Sequence, residues 1–302
     1  MTRVHVTEAS SAVQPEHPPA VDDRRKVSRL WAEIRHHPNL AIGLALALVV
    51  AIIAIAGHLA PPDNPLAINP KFSNAAPASG HLFGTDQFGR DVLSRVIYGL
   101  GIDVVIGLIV ACVAFVIGSA VGLVSGYLGG WFDDIVMRVV DIVMSFPSFL
   151  LALAIAVVLG NNVRNVIIAV AIAYIPYILR LTRSGVLTVR GTDYVLGARA
   201  VGGSKARIMA LHVLPNAVGP SVVQATLMAG WAILDVSGLS FLGVGIQPPS
   251  PELGVQVAQG ATYITSGQWW VSVFPGIAII VAVLAFNFLG DYADDKLRGE
   301  GA

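Results

Sequence analysis

Few residues of this 302-residue chain could do chemistry, and those that could sit in unusual places. Arg138, Asp141 and Asp235 fall within largely apolar stretches. A charge at membrane depth is expensive, so by default it marks a path for an ion or polar solute. Arg138 and Asp141 lie three apart and share a helical face, where a local ion pair is the alternative. Asp235 is the deepest isolated acid, and it either lines a path or belongs to a capped or paired helix end. Paired carboxylates occur only as Asp133–Asp134 and Asp294–Asp295. Both pairs stand at the ends of apolar runs, where solvating a helix terminus is the expected role. His36 and His37 point apart on a helix and have no third ligand near in sequence. Cys112, the only cysteine, excludes an intrachain disulfide and reads as a small buried hydrophobe. Neither a phosphate-cradling G-x-x-x-x-G-K-[ST], an H-E-x-x-H nor a G-x-S-x-G elbow is present. The chain therefore reads as non-enzymatic, with no catalytic residue, no metal site and no cofactor of its own.

The elements that must position these residues are apolar helices. The chain is 55% hydrophobic and 13% charged, about half the charge of a soluble domain. A span needs ~20 mainly apolar residues, and six candidates fit, near 39–59, 101–125, 135–159, 166–183, 214–236 and 270–290. Residues 1–23 read as a disordered tail. Residues 24–38 read as an interfacial amphipathic helix, with Val27, Leu30, Trp31 and Ile34 on one face. Span 1 (39–59) leads to an extracytoplasmic segment over 60–100, where Thr85 or Asp86 can cap a helix. A five-helix core follows over 101–292, then a tail over 293–302. With the N-terminus inside, 15 of the 19 Lys and Arg fall on the cytoplasmic side, which predicts both termini there. Gly118, Gly122 and Gly126 recur at intervals of four and form a small-residue packing face. Pro147 and Pro176 fall within spans 3 and 4, and bend helices there or pack. Residues 237–270 are too irregular to span and too apolar for a free loop, and read as re-entrant or interfacial.

One interruption is too long for a connector. The loop 190–213 includes "DYVLGARAVGGSKARIMALHV" and leads into Leu214–Pro215. Tyr194–Val201 is helix-compatible, and Gly202–Gly203 ends that helix. Ser204 then caps a second helix, Lys205–Val213, and Pro215 opens span 5. Val195, Ala198, Val201, Ile208, Met209 and Leu211 are apolar positions available to a partner. Two short helices on a glycine hinge suit a lever, or an interfacial pair with no partner.

"ARAVG", nine residues, then "HVLP" resembles the EAA signature of bacterial ABC-importer permeases. On that alignment Gly202 is the signature glycine, Leu214–Pro215 the closing pair, and Leu196, Gly197 and Ala198 hold the Glu-Ala-Ala positions. Leu196 replaces Glu and His212 replaces Ile. "GTDQFGRDVLSRVIYG", "SGYLGGWFDDIVMRVVDIVMSFPSFLLA", "LSFLGVGIQPPSPELG" and "WWVSVFPGIAIIVAVLAFNFLGD" are similar to the second permease subunit of dipeptide, oligopeptide and nickel importers. Members often carry a Glu just before "LSFLG"; Val236 falls there, with Asp235 beside it.

The resemblance implies an all-α type I ABC-importer permease in the bacterial cytoplasmic membrane. It implies a homologous second permease, two ATPase subunits carrying ATP and magnesium, and an extracytoplasmic substrate-binding protein. Tyr194, Gly197, Ala198, Arg199, Ala200, Gly202, Ser204, His212, Leu214 and Pro215 would receive the ATPases. Arg138, Asp141 and Asp235 would be candidates for the path, and the segments 61–99 and 237–270 would face the binding protein. Di- or oligopeptide cargo is expected, with nickel or another small solute, or a self-contained secondary transporter, as alternatives.

Overall fold

The computed structural model describes residues 38–299. The expected tail (1–23) and interfacial helix, with Val27, Leu30, Trp31, Ile34, His36 and His37, lie outside the described residues except at Pro38. Among the described residues there is no β-strand, only two isolated bridges, Ala78–His81 and Thr85–Asp91.

The helices are α1 (Pro38–Leu59), α2 (Val92–Leu128), α3 (Gly130–Met144), α4 (Ser148–Leu159), α5 (Val163–Val189), α6 (Asp193–Ala200), α7 (Lys205–Ile208), α8 (Leu214–Ala217), α9 (Gly219–Phe241), α10 (Leu253–Ala261) and α11 (Trp270–Gly299). Five of them are long and apolar enough to cross a membrane, and α3 with α4 are apolar enough together to make a sixth span, bent by 91° between them. The bend falls at Ser145–Pro147, and Pro147 stands at the N-cap of α4. Pro147 is therefore where the span breaks, because proline takes a first-turn position but not a helix interior. Pro176, by contrast, is inside α5 and buried. The expected tail from 293 continues α11 as helix to Gly299.

Span 2 starts earlier than its hydropathy. Thr85 and Asp86 cap no helix; Asp91 does, accepting from the Ser94 amide at 2.7 Å. From there α2 runs 37 residues without a break, roughly 55 Å at 1.5 Å per residue. Its first turns carry Arg95, 2% exposed, which donates to the Pro65 carbonyl at 3.0 Å. Asp86 is a buried hub: it pairs with Arg90 Nε at 2.6 Å and faces Arg95 Nε at 3.7 Å. Trp270 Nε1 donates to the Thr85 carbonyl at 3.1 Å, tying α11 to this platform. The irregular segment 60–91 is thus built on α2 rather than hanging free.

The helices α2 and α5 are packed along the glycine face. A Cβ on Gly118 would stand 2.8 Å from Ile178 Cβ, on Gly122 2.5 Å from the Leu179 carbonyl oxygen, and on Gly126 3.0 Å from Val186 Cβ. Close approach brings buried hydroxyls together: Thr182 Oγ1 bonds Ser221 Oγ of α9 at 2.7 Å and donates to Ser119 Oγ of α2 at 3.3 Å. Cys112 is exposed rather than buried. Its helix turns Val105, Leu108, Val116 and Ile117 outward too, so this face meets an apolar surrounding rather than the core.

Candidate functional site

The loop after α5 folds back onto the helix ends it connects. Val195, Ile208, Val213 and Ala217 are almost fully buried and pack on Leu123, Tyr127 and Val186. Val195 and Ile208 are therefore internal anchors and not free to dock. The exposed apolar residues are Tyr194, Leu196, Val201 and Leu211, with Val201 87% exposed. Arg199 lies over the Tyr127 ring, 4.9 Å from its centre, and its Nε donates to the Tyr127 hydroxyl at 3.2 Å. That contact fastens α6 to the last turn of α2.

The hinge has a defined geometry. Gly202 N–H donates to the Arg199 carbonyl at 3.0 Å, and Gly203 N–H to the Ala198 carbonyl at 3.1 Å. These are the two bonds of a Schellman stop, which needs a left-handed residue between them. Gly202 supplies it at φ +82°. Ser204 Oγ then accepts from the Arg207 amide at 3.4 Å and caps α7. A π-turn over Met209–Val213 links α7 to α8. Half-buried His212 lies in it, and its carbonyl accepts from Asn216 Nδ2 at 2.8 Å. Pro215 stands in the first turn of α8, while Pro220 opens α9 at Gly219. Span 5 thus starts five residues later than expected. A cavity of about 390 Å³ lies beneath, lined by Tyr127, Leu128, Arg199, Gly203, Lys205 and Ile208.

The helix ends on this face are cross-tied. Arg183 of α5 grips Asp133 of α3 bidentately at 2.6 and 2.5 Å, and Ser125 also donates to Asp133. Asp133 is 8% exposed, so it is a buried tie rather than a solvated terminus. Arg190 Nη1 donates to the Gly126 carbonyl at 2.6 Å. Asp141 pairs with Arg180 of α5, not with Arg138, and Arg138 is exposed. These ties join α5 and its C-terminal end to α2 and α3 just ahead of the 193–217 loop. Sequence spacing gave no sign of the Asp133–Arg183 tie, since its partners are 50 positions apart.

Asp235 belongs to a different cluster. It accepts from the Tyr174 hydroxyl at 2.8 Å. The two line a cavity of about 180 Å³ with Ser148, Tyr177, Met228, Trp231 and Leu234. Asp235 is half-buried and is not a helix cap, because α9 continues to Phe241. The structure does not gather the three predicted path residues: Arg138 and Asp141 are on α3, away from this cavity's lining.

A buried carboxyl pair was not read from the sequence. Glu252 is 0% and Asp103 1% exposed. Glu252 Oε2 caps α10 by accepting from the Val255 amide at 2.8 Å. The next amide, of Leu253, donates to Asp103 Oδ2 at 3.3 Å. The Leu253 bond fastens the start of α10 to α2. Burial pushes the Glu252 carboxyl above the usual range, and backbone N–H groups offset this only partly. A raised acid pKa contributes stability that is full below the unfolded value and is lost as pH rises through the folded one. Glu252→Gln keeps the capping oxygen and removes the charge. It should raise the melting temperature at pH 8 by on the order of a few degrees, with the gain vanishing near pH 4. A thermal scan across pH checks this, and an equal shift at every pH would contradict it.

Comparison with known proteins bears on this geometry. Residues 118–299 match the family described as "binding-protein-dependent transport system inner membrane component". The chain belongs to that family of permeases. The matched region contains the hinge loop, the cross-ties and the Asp235 cavity. The permease is 37% identical to the dipeptide transport system permease protein of Alkalihalophilus pseudofirmus, over 94% of each chain. It is 37% identical to the glutathione transport system permease protein of Pectobacterium atrosepticum, covering 92% of this chain and 94% of that one. It is also 37% identical to the di/tripeptide transport system permease protein of Pseudomonas aeruginosa, over 90% and 91%. Among solved structures, an amino acid ABC transporter crystallised with histidines matches with a TM-score of 0.50 at 16% identity, over 67% of this chain and 94% of that one. That likeness shows the fold alone. The permease is thus an ABC-importer membrane component with the type I fold, in the bacterial inner membrane. Its family works with a binding protein and an ATPase.

Proposed function

We propose that this permease forms half of the membrane path of an importer for di- or oligopeptides. A homologous second permease supplies the other half, and two ATPase subunits seat on the hinge loop. The observation that carries the reading is the loop itself: a Schellman hinge at Gly202, with buried anchors on one side and Tyr194, Leu196, Val201 and Leu211 exposed on the other. An exposed apolar patch on an otherwise pinned element suits a partner. ATP and its magnesium bind to the ATPase subunits, and no catalytic residue belongs to this chain. The charge asymmetry supports a cytoplasmic position for the loop and both termini. The platform around Asp86 and the re-entrant segment then face the binding protein outside.

Peptide cargo is supported by the names of the similar relatives. The Tyr174–Asp235 cavity offers one acidic and several aromatic contacts, which suit a peptide's ammonium group and side chains. Arg138, exposed on α3, and Asp141, paired with Arg180, play no part in that cavity and belong to the loop-face wiring.

The test is reconstitution of the complete importer in vesicles with its binding protein and labelled dipeptides. Uptake should require ATP inside and binding protein outside. Uptake driven by an ion gradient, with no ATPase present, would overturn the reading.

A further inference from the structure

We infer that Asp63, His81 and Asp91 form a binding site for a divalent transition-metal cation of the zinc type. The three lie 18 and 10 positions apart in sequence, which hides them from any spacing motif. In the fold, one donor atom from each lies within 4.8 Å of the other two. The site stands at the start of α2, at the opposite end of that helix from Tyr127 and the hinge loop. It is also separate from the Tyr174–Asp235 cavity, so it serves the platform rather than the cargo path.

The site is held in place by its surroundings. Asp91 Oδ2 is occupied by the Ser94 amide and hydroxyl, both at 2.7 Å. That leaves Oδ1 aimed at His81 Nδ1, 3.0 Å away. Ser94 Oγ also accepts from the Asp63 amide at 2.9 Å and so brings the third residue in. The His81 ring is fixed edge-on against Phe72, with centres 5.3 Å apart. Supporting hydrogen bonds of this kind orient metal ligands and tune their affinity. Asp91 is buried, His81 is partly buried and Asp63 is exposed, so an ion can enter from the Asp63 side.

The donor set selects the ion. One imidazole nitrogen and two carboxylate oxygens suit zinc, with water in a fourth position, at bond lengths of roughly 2.0–2.2 Å. Calcium and magnesium prefer all-oxygen shells, so the imidazole disfavours them. Two carboxylates balance the charge of the dication. Bound metal would clip the start of the segment after α1 to the turn before α2 and stiffen the platform.

The test uses the full-length chain, purified in detergent through a histidine-free tag, stripped with chelator and dialysed against zinc. Metal content is compared for wild type, Asp63→Asn and His81→Gln. Zinc held by other histidines is common to wild type and Asp63→Asn and cancels in that comparison. Asp63→Asn keeps the amide bond to Ser94 and changes an exposed side chain, so its folding is not at risk. Wild type should hold one more zinc ion per chain than either variant, with at least about tenfold tighter binding. Zinc should raise the melting temperature of wild type and not of Asp63→Asn. Equal zinc content in wild type and Asp63→Asn would overturn the site. Loss in His81→Gln alone would also overturn it, reducing the cluster to an imidazole–carboxylate contact.

Discussion

Gly202→Pro should yield a permease that inserts and assembles but no longer couples ATP hydrolysis to uptake. Gly202 holds φ +82°, and proline is confined near −65°. The substitution also removes the N–H that donates to the Arg199 carbonyl at 3.0 Å. Together these cost ~3 kcal/mol or more at one junction, enough to abolish the Schellman stop between α6 and α7. The damage stays local, because a Cβ at Gly202 meets nothing within 4 Å. Gly202→Ala separates conformation from bulk: it fits the space and carries only the left-handed penalty of about 1–2 kcal/mol. Uptake by the proline variant should fall at least about tenfold while hydrolysis continues, with alanine intermediate. Normal uptake by the proline variant would contradict the lever.

The second large effect is in the seam. Gly122→Leu should destroy the folded protein rather than its coupling. A Cβ there would stand 2.5 Å from the Leu179 carbonyl oxygen and 3.1 Å from Thr182 Cβ. The first of these is backbone and cannot rotate away. Separating α2 from α5 would also break the Thr182 bonds to Ser119 and Ser221. Overpacking alone typically costs ~1–3 kcal/mol, and the lost buried hydroxyl pairs add ~1–3 kcal/mol more. Gly276→Leu is the control, since nothing lies within 4 Å of its added Cβ. The yield of monodisperse Gly122→Leu protein in detergent should collapse while that of Gly276→Leu stays near wild type. Equal yields would show that the seam is looser than its geometry.

The sequence makes some of this legible and hides the rest, for physical reasons. Spans are legible because hydrocarbon sets their length and apolarity. The start of α2 is not: hydropathy begins near residue 101, but Asp91 caps the helix and Asp86 and Pro65 shelter Arg95, so it starts at Val92. The hinge is legible because a glycine stop and a serine cap act within a few residues. Which loop faces pack inward is not, since Val195 and Val201 are equally apolar and only the tertiary position of Tyr127 and Val186 buries the first. Pro215 and Pro220 both suit a helix start, and the π-turn at Met209–Val213 decides that α9 begins at the second. The Asp133–Arg183, Asp103–Leu253 and Tyr174–Asp235 contacts join distant positions and leave no local trace.

The proposed seating of ATPase subunits on the hinge loop is tested by co-purification. Wild type and a Gly202→Pro/Arg199→Ala double variant would be tagged in the native host, gently solubilised, and their partners identified. Arg199→Ala releases α6 from Tyr127, and Gly202→Pro removes the hinge. Wild type should bring down a second six-span permease and P-loop ATPases, and the double variant should keep the permease and lose the ATPases. A wild-type chain that purifies alone and still moves solute under an ion gradient would contradict the account.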